Sequence, residues 1–155
     1  MKVHLTRRYL FSASHRLHQA GLSGCANRET YGKCNNPHGH GHNYFLEVTV
    51  SGPVDEQTGM LCDLGVLDDV VRREVLDRFD HQNLNLLPEF NASVPTTENL
   101  TFAVQRILSR SALPAHLESV RIEETANNAF ELRTAPEAAS GLLSAQPEKE
   151  REWKL

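Results

Sequence analysis

A cysteine and three alternating histidines lie close together in the stretch KCNNPHGHGH, which spans residues 33–42 of the 155-residue chain. Imidazole nitrogens and thiolates are the ligands that zinc prefers in proteins. The same two residue types also serve as nucleophiles and as general acids or bases in enzymes. The stretch therefore predicts a metal site, a catalytic site, or both at once.

The spacing of the histidines indicates which of them act together. Side chains two positions apart on a strand point to the same face, so His40 and His42 project together with Tyr44. In the motif FSASH, His15 shares a face with Phe11. If this apolar face covers the core, the three imidazoles converge and would bind a zinc ion whose fourth position stays open, as in catalytic sites. The alternative is a polar, glycine-containing loop that binds no metal.

Other reactive residues are open to two interpretations each. Cys34 is either a fourth ligand that makes a zinc site structural or a thiolate used for catalysis. The adjacent Asp80 and His81 form a common acid–base pair, but a histidine that interacts with a helix dipole explains them equally well. His38 is interpreted as a loop residue near the metal. Three further histidines are interpreted as surface residues: His4, His18 and His116.

A single carboxylate, Glu124, is predicted to lie on an apolar face. It shares the alternation of Val120 and Ile122 at the end of a predicted strand. A carboxylate in such a place usually has a partner, and a ligand with a guanidine-like edge would supply two hydrogen bonds. The alternative is a strand end that is already in contact with water.

These residues are positioned by six predicted elements in the order β-β-α-α-β-β. Apolar alternation and helical spacing predict strands over residues 2–14 and 44–52, helices over about 65–79 and from Thr97 to Pro114, and short strands around 120–122 and 130–132. Residues 16–41 are predicted to be an irregular loop. We expect one α+β domain over residues 1–135, followed by a polar tail over residues 136–155.

Composition argues against several function classes. The formal net charge is −4 and there is no lysine-rich run, which argues against nucleic acid as a partner. The apolar runs are too short to cross a bilayer, and the N-terminus lacks the pattern of a signal peptide. The three cysteines, an odd number, are typical of free thiols in a reducing compartment. We therefore expect a cytoplasmic protein that binds neither nucleic acid nor membrane.

Five separate motifs resemble the 6-pyruvoyl-tetrahydropterin synthases and their bacterial relatives, the 6-carboxytetrahydropterin synthases. They are FSASHRL, YGKCNNPHGHGHNY, DHQNLN, PTTEN and RIEETANN, and they occur in the family's order over residues 3–134. The resemblance implies the tunnelling fold (T-fold), an antiparallel four-stranded sheet with two helices on one face. It also implies a homohexamer of two stacked trimers whose sheets close into barrels, with active sites between subunits.

The resemblance further implies a role for each candidate residue. The zinc ligands, for one ion per subunit, would be His15, His40 and His42. The catalytic residues would be Cys34 as the thiol, with Asp80 and His81 as a proton relay from a neighbouring subunit. Glu124 would anchor the pterin ring, in a pocket also lined by Thr96, Thr97 and Glu98.

The implied reaction converts 7,8-dihydroneopterin triphosphate to 6-pyruvoyl-tetrahydropterin with elimination of triphosphate. Mg²⁺ is a candidate cation for binding the triphosphate. The interval of five residues between Cys34 and His40 is that of the pyruvoyl-forming branch. Two alternatives stay open: a 6-carboxytetrahydropterin synthase of queuosine (deazapurine) biosynthesis, and a zinc- or pterin-binding module with a structural Cys-His₃ site. The candidate cations for the triphosphate are Arg7, Arg8, Arg16, Arg28 and Lys33.

Overall fold

The computed structural model describes residues 1–134, so the predicted tail over residues 136–155 lies outside the described part of the chain. The five strands are β1 (Val3–His15), β2 (His40–Gly52), β3 (Gln82–Asn83), β4 (His116–Thr125) and β5 (Asn128–Arg133). They form one sheet in the order β3-β1-β2-β4-β5. All neighbours are antiparallel except β1 and β3, which run parallel.

The helices are α1 (Gly24–Tyr31), α2 (Leu64–Val71), α3 (Asp77–Phe79) and α4 (Thr97–Leu108). A π-helical turn, Arg72–Leu76, joins α2 to α3. Short 3₁₀ turns cover Gly32–Asn35, Leu84–Leu86 and Pro88–Phe90. No helix in residues 1–134 is long and apolar enough to cross a membrane.

The core lies between one face of the sheet and the helices α2 and α4. Side chains alternate strictly between Tyr44 and Val50 of β2, and every second one is fully buried. The rings of Phe11 and Tyr44 stack across β1 and β2 with centroids 5.1 Å apart. Leu67 on α2 and Leu100 on α4 pack against this face. Burial of this apolar surface stabilises the fold.

Two polar side chains fix the starts of the helices that cover the sheet. The Asp63 carboxylate accepts hydrogen bonds from the first backbone amides of α2, and the Thr96 hydroxyl accepts one from the Asn99 amide of α4. Such caps satisfy amides that have no partner inside the helix. The cap at Thr96 also fixes the residue that follows it, Thr97, at the first position of α4 and next to the sheet.

The α+β class and the order of the main elements are confirmed, and the structure differs from the prediction in three places. The sheet has five strands instead of four, because β3 pairs with the edge of β1. The segment predicted as an irregular loop contains α1. Helix α4 ends at Leu108, well before Pro114, and the Ser111 hydroxyl donates to the carbonyl of Ile107 at that end.

Candidate active site

The hairpin of β1 and β2 brings the three predicted metal ligands together. In its register His15 lies opposite His40, and Ala13 lies opposite His42. The Nε2 atoms of His15 and His40 are 3.2 Å apart. One ligand atom from each of the three histidines lies within 4.8 Å of the other two, so the group could hold a metal ion.

The protonation of the histidines fits a metal site. Nδ1 of His15 donates to the carbonyl of Pro95 at 2.8 Å, which leaves the lone pair of Nε2 directed at the cluster. Nε2 of His42 is buried and has no hydrogen-bond partner in residues 1–134. Burial lowers the pKa of both His15 and His42, so both are held in the neutral form that binds metals. Two nitrogens bound to one tetrahedral zinc ion lie about 3.3 Å apart, close to the observed separation of His15 and His40.

Gly39 allows β2 to approach β1 at the position of the ligands. Its φ is +69°, and a Cβ atom at this position would lie 2.8 Å from the carbonyl oxygen of His15. Glycine alone adopts this conformation without steric cost and leaves room for the neighbouring backbone. The first glycine of HGHGH therefore sets the distance between His15 and His40.

Glu124 lies beside the histidines at the end of β4. Its Oε1 is 3.6 Å from Nε2 of His42 and 3.8 Å from Nε2 of His15. The Thr97 hydroxyl donates to the same oxygen at 2.6 Å. The pairing of β4 with β5 shifts register between Glu123 and Thr125, and such irregularities redirect side chains next to functional sites. The carboxylate is 15% exposed, so it can meet a ligand from solvent.

Cys34 lies in the 3₁₀ turn Gly32–Asn35 and is half-buried. Burial, and then the negative charge of Glu124, raises the pKa of its thiol. A divalent cation on the histidines would act in the opposite direction. Within residues 1–134 the clustered donor atoms are those of the three histidines alone, and the Cys34 sulfur is not among them.

The predicted pocket residues of α4 separate into different surroundings. The structure brings Thr97 to Glu124, whereas the Thr96 hydroxyl accepts a hydrogen bond from the Asn99 amide. Glu98 is exposed and lines a groove with Phe102 and Phe130. A contact of Thr96 or Glu98 with a bound molecule therefore stays a prediction.

Asp80 and His81 lie outside the histidine cluster of their own chain. Asp80 Oδ1 accepts from the Ser12 amide at 2.8 Å and lies 3.0 Å from His81 Nδ1. These contacts lower the pKa of Asp80. The His81 side chain is 82% exposed and lines a shallow pocket with Ser12, Ser14 and Asn43. Ala13 and His42, which alternate with these residues along β1 and β2, also line this pocket.

Two contributors to the site were not predicted. Pro95 supplies the carbonyl that orients His15, and Asn35 joins the Cys34 turn to Leu17 through a hydrogen bond of 2.7 Å. A backbone carbonyl can belong to any residue type, so no sequence pattern identifies it. Asn35 follows Cys34 directly in the motif CNNP, and an asparagine beside a candidate nucleophile was the available signal.

Comparison with known proteins shows the family of the chain. The family model described as 6-pyruvoyl tetrahydropterin synthase matches residues 4–135. The chain belongs to this family. It is 45% identical to the 6-pyruvoyl tetrahydrobiopterin synthase of Drosophila melanogaster over 131 residues, which cover 83% of this chain and 78% of the fly protein.

Structural comparison gives the same family. The solved 6-pyruvoyl tetrahydropterin synthase of Caenorhabditis elegans superposes with a TM-score of 0.81 at 41% identity, covering 87% of this chain and 97% of that one. Similarity to the 6-carboxy-5,6,7,8-tetrahydropterin synthase of Rickettsia bellii is weaker. It is 33% identical over 79 residues, which cover 51% of this chain and 49% of the Rickettsia protein.

Proposed function

We propose that this family member catalyses the conversion of 7,8-dihydroneopterin triphosphate to 6-pyruvoyl-tetrahydropterin, as a carbon–oxygen lyase of tetrahydrobiopterin synthesis. The observation that carries the proposal is the convergence of three histidines, a carboxylate held by Thr97, and a half-buried thiol at one end of the sheet. The similarity to relatives named as 6-pyruvoyl tetrahydrobiopterin synthases supports it.

The metal in this proposal is zinc, one ion per subunit, bound by His15, His40 and His42. Three nitrogen ligands suit zinc and leave a position for substrate. When bound, the ion would act as a Lewis acid on the hydroxyl groups of the substrate side chain and make the neighbouring C–H protons more acidic. Pro95 supports the site by fixing the tautomer of His15.

The other residues bind and move protons. Glu124 would accept hydrogen bonds from the 2-amino group and N3 of the pterin, and Thr97 keeps that carboxylate in place. Cys34, as the thiolate, would take a proton from the substrate side chain. His81, oriented by Asp80 at 3.0 Å, would donate and accept protons from the other side of the substrate. Loss of triphosphate and tautomerisation then give the product.

The position of His81 supports a proposed assembly. Because His81 lies outside the histidine cluster of its own chain, we infer that it serves the site of a neighbouring subunit. The resemblance to the family implies that this assembly is a homohexamer of two trimers. Thr96 and Glu98 would line the pterin pocket in that assembly. Mg²⁺ would accompany the triphosphate. The three cysteines are free thiols, which supports the cytoplasm as the compartment.

The two alternative functions have less support. A 6-carboxytetrahydropterin synthase would use the same site, but the similarity to a protein of that name covers about half of the chain. A non-catalytic Cys-His₃ module requires Cys34 as a ligand, and its sulfur lies outside the clustered donors of the described residues.

A product assay tests the proposal. The zinc-loaded protein is incubated with 7,8-dihydroneopterin triphosphate, and the products are identified by mass spectrometry. We expect 6-pyruvoyl-tetrahydropterin from the native protein, and no turnover but full zinc content from Cys34→Ala. A carboxy product would move the protein to the deazapurine branch. Absence of turnover, together with zinc loss in Cys34→Ala, would support the structural module instead.

A further inference from the structure

The candidate cations for the triphosphate differ in how they are already paired. Arg7 forms a two-point contact with Asp68. Arg8 lies within 3.7 Å of both Glu47 and Glu123. The three remaining candidates are Arg16, Arg28 and Lys33. No carboxylate oxygen of residues 1–134 lies within 4.0 Å of their side-chain nitrogens. All three belong to the segment between β1 and β2, which also carries Cys34.

Arg16 is the cation of this group that is partly withdrawn from water. It is half-buried, whereas Arg28 and Lys33 are exposed. Its Nε is buried and has no hydrogen-bond partner within residues 1–134. A buried donor on a charged group is costly when unsatisfied, and the guanidinium fork matches a phosphate group with two parallel hydrogen bonds. The chemistry of this position therefore points to an oxyanion.

His18 provides a second donor beside Arg16, although its sequence pattern predicted only a surface residue. Asn35 Nδ2 donates to the carbonyl of Leu17 at 2.7 Å, and this contact fixes the orientation of the amide. The same Nδ2 lies 3.0 Å from His18 Nδ1, which must then accept. The proton of the neutral imidazole is consequently on Nε2. A terminal guanidinium nitrogen of Arg16 lies 3.4 Å from His18 Nδ1. Because a guanidinium is only a donor, this contact also requires Nδ1 to accept.

Backbone contacts hold both donors between the metal ligands and the thiol. Arg16 follows the ligand His15 directly, and the Leu17 amide donates to the carbonyl of Cys34 at 2.9 Å. The side chain of Asn85 contacts both the amide and the carbonyl of Arg16, at 2.7 and 2.9 Å. The segment from residue 16 to 18 therefore has a fixed position at the edge of the site.

We propose that Arg16 and His18 form the subsite for the triphosphate of the substrate, with Arg28 and Lys33 adding charge at its exposed rim. This inference rests on the proposed function, because it assigns the polyanionic part of that substrate. Arg16 would bind phosphate oxygens through its guanidinium, and His18 would donate from Nε2. The triphosphate would then leave next to the cations that bound it.

The test compares two variants that remove one positive charge each. Arg16→Gln removes the guanidinium from the subsite, and Arg110→Gln removes an exposed arginine beyond the far end of α4 that also lacks a carboxylate partner in the described residues. Calorimetry measures the binding of inorganic triphosphate and of phosphate-free 7,8-dihydroneopterin to the zinc-loaded protein. Steady-state kinetics gives KM for the full substrate.

We expect Arg16→Gln to weaken binding of inorganic triphosphate and raise KM by about 10- to 100-fold, the effect of losing a charged hydrogen-bonding group. Affinity for phosphate-free 7,8-dihydroneopterin and the zinc content should stay as in the native protein. Arg110→Gln should bind triphosphate as the native protein does. Equal weakening in both variants, or native affinity in Arg16→Gln, would overturn the subsite.

A second variant covers the case in which Arg16→Gln folds poorly or loses zinc. Arg16→Lys keeps the charge but not the planar fork, and we expect it to bind triphosphate about tenfold more weakly. Native affinity in a folded, zinc-loaded Arg16→Lys protein would contradict the proposal. The experiment distinguishes failure of the subsite proposal from failure of the proposed function. A native protein that binds triphosphate through Arg16 without converting the substrate would retain the subsite and refute the reaction.

Discussion

The contact between Thr97 and Glu124 is a single hydrogen bond whose removal tests the pterin anchor. Thr97→Val keeps the shape of the side chain and removes the hydroxyl that donates to Oε1 at 2.6 Å. The carboxylate then loses a fixed orientation, so we expect KM for the pterin substrate to rise about tenfold with little change in kcat. Steady-state kinetics at saturating zinc measures both constants.

Thr101→Val is the matched control for this substitution. Thr101 lies one turn further along α4 and is buried to the same extent as Thr97, at 3% exposure. Its hydroxyl donates to the backbone carbonyl of Thr97 and not to the site. We expect a loss of stability of about 1 kcal/mol and an unchanged KM. A rise of KM in both variants would mean that the helix position, and not the hydrogen bond, controls substrate binding.

At the scale of elements, the close approach of β1 and β2 depends on Gly39. In Gly39→Ala the new Cβ would meet the carbonyl oxygen of His15 at 2.8 Å, in addition to the strain of a positive φ. We expect a loss of unfolding free energy of about 3 kcal/mol. Zinc affinity should fall as well, because the ligand backbone must move. Chemical denaturation at fixed protein concentration and competition with a zinc chelator measure the two effects.

Gly59→Ala separates strain from contact. Gly59 has nearly the same backbone conformation, with φ +71°, but a Cβ there would meet nothing within 4 Å. We expect this variant to lose about 1 kcal/mol from strain alone and to keep the zinc affinity of the native protein. If the two variants were equally destabilised and both retained zinc, the contact with His15 would have no role in forming the site.

The elements that could be predicted from the sequence are those whose side chains alternate strictly. Two strands with a continuous apolar face placed His15, His40 and His42 on one side, because the period of a strand is two and the hairpin register set His15 opposite His40. The helix from Thr97 was predicted because its apolar residues recur at helical spacing and form one stripe. In both cases the prediction depends on a pattern of apolar and polar side chains that repeats over many residues.

The segment between β1 and β2 could not be predicted in this way, because it folds around a polar side chain. Asn27 is fully buried, and its amide donates to the carbonyls of Gln19, Leu22 and Ser23. Helix α1 therefore has no apolar stripe that a periodic pattern would reveal. Strand β3 contains two residues and pairs through its backbone, which also leaves no pattern of side chains.

At the scale of the whole molecule, one face of the sheet has no helix over it among residues 1–134. Leu10 on this face is 55% exposed. Beside it, Arg8 and Arg121 both lie within 4.0 Å of Glu47 and Glu123. His81 lines a pocket on the same side. Because His81 is exposed and lies outside the histidine cluster of its own chain, the arrangement suits an assembly in which neighbours complete each other's proposed sites.

Mixed oligomers test this division of labour. Cys34→Ala and His81→Ala should each be inactive alone. Co-expression of the two forms should restore activity, because some sites then combine an intact Cys34 from one chain with an intact His81 from the next. Random mixing gives about one quarter of the native activity. Turnover of the co-purified protein, normalised to zinc content, measures the recovery.

A second mixture provides the control. In the proposed function Cys34 and Glu124 belong to the same site of one chain, which agrees with the rise in the pKa of the Cys34 thiol caused by burial and then by the charge of Glu124. In a mixture of Cys34→Ala with Glu124→Ala, every site therefore lacks one of these two groups, and no activity should return. Two outcomes would contradict the proposed division of the active site between subunits. One is recovery of activity in this control mixture, and the other is no recovery in the mixture of Cys34→Ala with His81→Ala.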